Sequence, residues 1–399
     1  MAEKIVIENL FKIFGPSPDR AIKMFKEGCS KEEILKKTKN SVGVADVSFS
    51  VNEGEILVVM GLSGSGKSTL VRCINRLIEP TAGKIYLDDI EVDALSKEDL
   101  RELRQKRFGM VFQHFALFPH RDVVGNVEFG LEVQKVDQKA RIERAMIALE
   151  QVGLMGWEHS YPSQLSGGMQ QRVGLARALA LDPDIMLMDE AFSALDPLIR
   201  RDMQDELLKL QGKMHKTIIF ISHDLDEAMK LGDRIVIMKD GVVIQLGTAE
   251  EILTNPANEY VRKFVAEVDY SKVLTAASIM KNPVEVASYT NDGPRAALWK
   301  MNRAGISSIF VQHKGRLVGI VSADEATQAL KRGENDLSGI LVRDIQKIAP
   351  DSLATDILPL LAVNSPLPVV DGEDHLLGVI VRGSLLAALS EGGTNNGTL

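Results

Sequence analysis

Five consecutive apolar residues, Ile56-Leu57-Val58-Val59-Met60, run without a break into Gly61-Leu62-Ser63-Gly64-Ser65-Gly66-Lys67-Ser68-Thr69. A short apolar run of this kind reads as a buried strand, and the residues from Lys67 onward read as a helix. Between the two, glycines let backbone N–H groups converge on phosphate oxygens, and the helix N-terminus adds a favourable dipole. Lys67 can then reach the β- and γ-phosphates of a nucleotide, and the Ser68 hydroxyl can join a Mg²⁺ shell. The expected phosphate-binding residues are therefore Gly61, Ser63, Gly64, Ser65, Gly66, Lys67, Ser68 and Thr69. Everything else has to be laid out around a strand that ends in this loop.

The surrounding pattern alternates. Strands are expected at 5–10, 44–51, 185–188, 217–221, 234–238 and 242–245. Helical periodicity marks 123–153, where Ile142, Ala145, Met146, Ala148, Leu149 and Val152 recur on one face. A further helix runs to about 181 and another starts near Leu225, so the pattern is that of an α/β domain with a largely parallel sheet, ending near residue 268. Between the first two strands, residues 16–42 carry Ser17-Pro18, a stop at Gly28 and a capping-box pair, Ser30 with Glu33. They predict an inserted helical hairpin, either a surface decoration or a contact with a partner subunit.

A second glycine turn, Leu165-Ser166-Gly167-Gly168-Met169-Gln170-Gln171-Arg172, lies downstream of the phosphate loop and just ahead of an acidic pair, Asp189-Glu190. Ser166, Gly167 and Gly168 open a helix and so present backbone donors and a hydroxyl to an anion. Asp189 and Glu190 follow Ile185-Met186-Leu187-Met188 and emerge at the C-terminal end of a buried strand. One carboxylate there suits Mg²⁺, usually through water, and a second suits polarisation of an attacking water.

This order of motifs resembles the ATP-binding-cassette (ABC) ATPases. The resemblance implies an α/β P-loop NTPase fold, an ABC-type nucleotide-binding domain with a helical subdomain at about 100–165. It implies ATP and Mg²⁺ as cofactors, with Ser68, Gln113 and Asp189 around the metal and Glu190, His223, Gln113 and Lys67 as the catalytic set. Gln113 stands for the Q-loop glutamine, His223 for the switch histidine that contacts the γ-phosphate, and Phe14 for the aromatic residue that stacks on adenine. Leu165, Ser166, Gly167, Gly168 and Gln170 would close over ATP held by another protomer, and Asp196 of the D-loop Ser193-Ala194-Leu195-Asp196 would cross that interface. The working unit is then a homodimer. The segment from His114 to Val123, with Phe115, Leu117 and Phe118, either receives the coupling helix of a membrane subunit or forms a local aromatic cluster.

Beyond residue 268, one constant shift carries Gly319 onto Gly378 and aligns 290–326 with 349–385 without a gap. Each copy reads helix, strand, polar turn, strand, helix. Units this short bury little alone, so the two are expected to pack together. They resemble a tandem α+β pair of CBS domains, at 275–332 and 338–392, with a disordered tail at 393–399. Nucleotide-binding versions carry a hydroxyl three positions after the glycine and an aspartate six positions after it. Here Gly319 is followed by Ser322 and Glu325 (with Asp324 beside it), and Gly378 by Val381 and Ser384, a departure that speaks against adenosine binding. Lys314, Arg316, Lys331, Arg332 and Arg343 are either a cationic surface answering ionic strength or anionic lipid, or ordinary solvated charges.

The run MDEAFSALDPLIR, the 16–42 insertion and the tandem repeats together resemble the ATPase subunits of osmoprotectant importers, the ProV/OpuA-type glycine betaine/proline betaine systems. The implied activity is ATP hydrolysis that powers import of a quaternary amine, osmoregulated through the CBS pair. An importer ATPase for another small solute and a non-transport ABC ATPase are the alternatives. Implied partners are integral membrane permease subunits and, indirectly, a substrate-binding protein. Composition agrees with a peripheral place on the cytoplasmic face of the inner membrane: no apolar run approaches the ~20 residues that span a bilayer, and the N-terminus does not read as a signal peptide. The formal net charge of −8 speaks against bulk nucleic-acid binding. Cys29 and Cys73 have neither disulfide nor metal-site spacing.

Overall fold

The computed structural model describes residues 2–113, 115–266 and 269–391, and side chains as far as Leu389. The expected tail at 393–399 and His114 lie outside the described residues. The chain divides into two compact units, Met1–Val265 and Ala266–Leu399.

In the first unit β1 (Glu3–Phe14) pairs antiparallel with β2 (Ser41–Asn52), and α1 (Pro18–Lys26) and α2 (Lys31–Thr38) form a hairpin between them. Strand β1 outlasts its expected end near residue 10. Its register shifts between Ile7 and Leu10, where Asn9 takes a positive φ of 47°, and this bulge lets pairing resume as far as Phe14. The hairpin is accordingly narrower than 16–42, because Ser41 and Val42 already belong to β2. Ser30 and Glu33 form the reciprocal capping box, whereas Ser17 precedes α1 without a side-chain cap. The hairpin is seated on the sheet by Ala21, Met24 and Ile34, which pack with Phe11, Ile13, Val42 and Ala45.

The chain continues through β3 (Ile56–Met60), α3 (Lys67–Ile74), β4 (Ala82–Leu87), β5 (Ile90–Glu91), α4 (Lys97–Arg107) and β6 (Phe108–Phe112). Helices α5 (Val123–Val127), α6 (Phe129–Val133), α7 (Gln138–Gln151) and α8 (Gly167–Leu179) follow. Then come β7 (Ile185–Asp189), α9 (Pro197–Met214), β8 (Thr217–Ser222), α10 (Leu225–Leu231), β9 (Arg234–Lys239), β10 (Val242–Gly247), α11 (Ala249–Thr254) and α12 (Glu259–Val265). One four-stranded sheet has the order β2-β1-β4-β5, and a six-stranded sheet has the order β10-β9-β3-β8-β7-β6. The latter is parallel except for the β9–β10 pair. Every residue of β3, β7 and β8 is buried, which is why these strands read as unbroken apolar runs rather than alternating ones. Strand β3 lies between β9 and β8, so the loop after it opens at the C-terminal edge of the sheet interior.

The helical subdomain does not begin near residue 100. Residues 108–112 are β6, paired parallel with β7 in the main sheet, and the helical segment starts only at Val123. An edge strand of five residues following an amphipathic helix carries too short a pattern to interrupt a helical reading.

The second unit contains α13 (Ala276–Ile279), β11 (Val286–Ser288), α14 (Pro294–Ala304), β12 (Ser308–His313), β13 (Arg316–Ser322) and α15 (Ala323–Arg332). The second copy follows as α16 (Ala354–Val363), β14 (Leu367–Val370), β15 (Leu376–Ile380) and α17 (Arg382–Glu391). The copies meet through Phe310, Leu317 and Val370. Their sequence limits are not their physical limits. Leu274, Ala276 and Ile279 pack into the core of the second copy with Ile357, Leu361 and Val369, while Leu337 and Ile340 pack into the first with Ala297, Val311 and Val321. The boundaries 275–332 and 338–392 thus cut across an exchange of short segments. No helix among the described residues is long and apolar enough to cross a membrane.

Asn40 ties the hairpin shut. It is fully buried, its Oδ1 accepts from Ser17 N (3.1 Å) and its Nδ2 donates to Ser17 O (2.9 Å). Asn40→Ala leaves both groups without that partner and should cost about 1–3 kcal/mol. Urea unfolding checks this: the midpoint should fall at unchanged slope, and an unmoved midpoint would show that Asn40 does not hold the hairpin.

Candidate active site

Strand β3 delivers the chain to Gly61 with φ 146°, and a Cβ there would lie 2.2 Å from Met238 O. At Gly66, with φ 105°, a Cβ would lie 2.4 Å from Gly43 O. Both positions combine a left-handed backbone with a neighbouring carbonyl, so no side chain fits at either. Lys67 opens α3 and is only 6% exposed. Its Nζ donates to Gly61 O (2.8 Å) and Leu62 O (3.3 Å). Burial pushes the Lys67 ammonium below its ordinary pKa, and the negative charges of Glu190 and Asp189 pull it back up. The hydroxyl of Ser65 is buried in the same loop without a protein partner.

The carboxylates come from β7. Asp189 accepts from Ser68 Oγ (3.0 Å) on Oδ1 and from Arg72 Nη2 (3.2 Å) on Oδ2. Glu190 has φ 49°, a left-handed conformation that costs a non-glycine residue about 1–2 kcal/mol. The turn is held by Ser193, whose N and Oγ both donate to Glu190 O (3.1 and 2.9 Å). Glu190 Oε2 then faces Gln113 Nε2 at 3.3 Å and His223 Nδ1 at 3.5 Å. Gln113 follows β6 and His223 follows β8, so the ends of neighbouring parallel strands bring all three side chains to one point.

The loop, Glu190 and His223 line an open cleft of about 670 Å³. Phe14, Lys31, Ser41, Val42 and Gly43 complete its wall. Phe14 is 42% exposed, and a Cβ at residue 43 would sit 2.8 Å from its ring, so glycine there gives the aromatic face room. Gln113 and Asp189 are not in the wall but are hydrogen-bonded to residues that are. The Ser68 hydroxyl and the Asp189 carboxylate are hard oxygen donors beside a phosphate loop. That donor set fits Mg²⁺, which takes few protein ligands and draws the rest from phosphate and water.

Leu165, Ser166, Gly167, Gly168, Gln170 and Asp196 do not line this cleft. Ser166 caps α8, its Oγ accepting from Met169 N (3.3 Å), and Ser166 and Gly167 are exposed. Asp196 caps α9 through Leu198 N and Ile199 N. The Gln170 amide donates to Pro162 O (3.0 Å) and Leu165 O (3.3 Å), which shapes the turn.

Sequence reasoning missed three arginines around the site. Arg72 lies one helical turn after Ser68 on α3, a spacing that places both on one face, next to Asp189. Arg200 donates to Ser193 O (3.4 Å), Leu195 O (3.2 Å) and Asp224 Oδ2 (3.4 Å), tying the turn after Glu190 to the residue after His223. Arg177 donates to Ala116 O (2.6 Å) and Phe115 O (3.1 Å), and burial pushes its guanidinium pKa down. Arg177 and Arg200 bond mainly to backbone carbonyls, and Arg72 to a carboxylate far along the chain, contacts that leave no sequence pattern. In the same segment Phe118 packs on Phe129 (4.5 Å between centroids), while Phe115 and Leu117 are half-buried. Cys73 is buried, with its thiol pushed up to about 12 by burial.

In the second unit the hydroxyls of Ser322 and Ser384 are spent on local caps, accepting from Glu325 N and Val381 N. Three of the five basic residues have a neighbour of opposite charge or an aromatic ring. Arg316 pairs with Glu373 (3.3 Å), Arg332 with Glu334 (2.6 Å), and Arg343 lies 5.4 Å from the Tyr289 ring.

Comparison with known proteins agrees with this geometry. Residues 44–193 match the ABC transporter family, and residues 276–332 and 337–391 each match the CBS domain. The chain is 55% identical over 97% of its length to a glycine betaine transport ATP-binding protein, OpuAA, of Bacillus subtilis, covering 92% of that protein. It is 50% identical over the full length of both chains to the glycine betaine/proline betaine transport system ATP-binding protein ProV of Escherichia coli. A dimeric, post-hydrolysis structure of the ATP-binding cassette MJ0796 bound to ADP and Pi aligns with a TM-score of 0.52 at 32% identity, over 61% of this chain and 98% of that one.

One buried acid beside the site titrates in a predictable direction. Glu227 accepts from Ser222 Oγ (2.5 Å) and Gln204 Nε2 (3.0 Å), and burial raises its pKa against the lowering effect of those donors. A raised carboxyl pKa means the native state holds this proton more tightly than the unfolded chain. The resulting stability is present below the ordinary glutamate range and is lost as pH rises through the native pKa. Glu227→Gln cannot ionise, so its Tm should exceed the parent's at about pH 8 and match it at about pH 4. An equal difference at both pH values would mean that ionisation of Glu227 is not the cause.

Proposed function

Because the chain belongs to the ABC transporter family, in the branch of glycine betaine/proline betaine ATP-binding subunits that end in tandem CBS domains, we propose that it is the ATP-hydrolysing motor of an importer for a quaternary-amine solute. The observation that carries this reading is the meeting of Gln113 and His223 at Glu190 Oε2, at the mouth of a phosphate-loop cleft.

The chemistry follows from what each side chain can do. Lys67 exchanges the loop carbonyls for phosphate oxygens, and the loop N–H groups gather the rest of the charge. Ser68, Asp189 and Gln113 would hold Mg²⁺, which when bound would supply charge neutralisation at the phosphoryl oxygens. Glu190 orients the attacking water and accepts its proton, and His223 steadies the γ-phosphate from the neighbouring strand. Phe14 offers a stacking face to adenine. ATP, rather than any pre-formed protein contact, completes the site.

Ser166 and Gly167 stand exposed at the start of a thirteen-residue helix, outside their own cleft. This placement supports a second copy as the bearer of the missing contacts, with ATP at the shared interface of a homodimer. Hydrolysis then opens the dimer and moves the permease subunits, with Phe115 and Leu117 available on the subdomain surface. The motor would sit peripherally on the inner face of the membrane, with a substrate-binding protein supplying the solute on the other side. The CBS pair is proposed to regulate the cycle.

Glu190→Gln keeps the size of the side chain, and so the room to bind ATP, but removes its charge and cannot take a proton. It should lower kcat by about 10²–10⁴-fold and accumulate an ATP-bound dimer on size-exclusion chromatography. Turnover at the parental rate would remove Glu190 as the base.

A further inference from the structure

The inserted hairpin reaches the nucleotide cleft. Lys31, the first residue of α2, is half-buried and lines the cleft beside Phe14, Val42 and Gly64. Its Nζ donates to Gly64 O at 3.5 Å, the long limit of a hydrogen bond. Among the described residues no carboxylate pairs with this ammonium; the neighbouring Glu33 is spent on the capping box with Ser30.

Lys31 also breaks a local rule. A helix favours anions in its first turn, and a cation there opposes the dipole. Lys36 and Lys37, in the last turn of the same helix, obey the rule and are exposed. Residues that violate local preference without local compensation are where function is to be sought. The violation is not a matter of a mobile arm, because the hairpin is seated by Ala21, Met24 and Ile34 on the sheet and closed by Asn40.

We propose that Lys31 is a second phosphate-facing cation, supplied by the hairpin across the phosphate loop from Lys67, and that it recognises the polyphosphate of a nucleoside triphosphate. This rests on the ATP site proposed above and assigns the insertion a task within it. Lys67 is buried under the loop and serves the terminal phosphates from within. Lys31 meets the polyphosphate from the solvent side, where its free ammonium replaces the weak bond to Gly64 O. The hairpin thereby contributes to nucleotide affinity and to the salt dependence of that affinity.

The test is binding of a fluorescent ATP analogue with Mg²⁺ to the purified full chain. Lys31→Gln should weaken binding about tenfold, the factor that 1.4 kcal/mol makes. It should also flatten the loss of affinity with rising salt. Lys31→Arg should restore both, and Lys36→Gln and Lys37→Gln should match the parent. Lys31→Gln binding like the parent while Lys67→Ala fails would overturn the inference and leave the ATP site standing. Equal losses in all three Gln variants, or no rescue by arginine, would also overturn it. A parent chain that binds no nucleotide would remove the ATP site itself.

Discussion

The Lys67 ammonium is buried with nothing but loop carbonyls to receive its protons. Burying a cation this way is costly unless an opposite charge arrives, and the backbone N–H groups around it add to the same deficit. The cost is carried by the sheet. Strand β3 is held on both sides by parallel neighbours, and the loop is pressed against Met238 O and Gly43 O, where only glycine fits. The rest of the unit is arranged around that loop. Burial lowers the Lys67 pKa, and the charges of Glu190 and Asp189, at the end of β7, offset that only in part.

Glu190 shows how the fold directs this. Its left-handed backbone would not persist alone, but Ser193 holds the turn twice and Arg200 grips the carbonyls that follow. Arg200 also reaches Asp224, next to His223, so one side chain touches both the 193–196 turn and the loop that carries the histidine. In the dimer proposed above that turn faces the second copy. The catalytic carboxylate, the histidine and the interface would then be coupled by one arginine rather than by a long chain of contacts.

The sequence displayed the parts of this site that need a particular residue type in a particular order: glycines that admit backbone approach, a lysine, a hydroxyl and two acids at a strand end. Apolar runs in β3, β7 and β8 were legible because parallel strands are buried on both faces. The parts that stayed hidden depend on distant backbone. The bulge at Asn9 that carries β1 out to Phe14, and the five-residue edge strand β6, are decided by pairing with partners far along the chain. Arg177 and Arg200 bond to carbonyls, which every residue has, so no pattern betrays them. Lys31 was visible only as one lysine among several in a polar hairpin, and its distinction is a matter of where α2 begins.

The repeats carry the same lesson further. A constant shift pairs Gly319 with Gly378, yet the two glycines answer different constraints. A Cβ at 319 would lie 2.3 Å from Val342 O, whereas one at 378 would meet the Met280 side chain at 2.5 Å. Val342 follows the first repeat and Met280 precedes its first strand, and each belongs to a segment exchanged between the copies. Neither copy has a complete core without residues from the other's stretch of sequence. The pair is therefore one cooperative unit, and a perturbation at either repeat is shared by both.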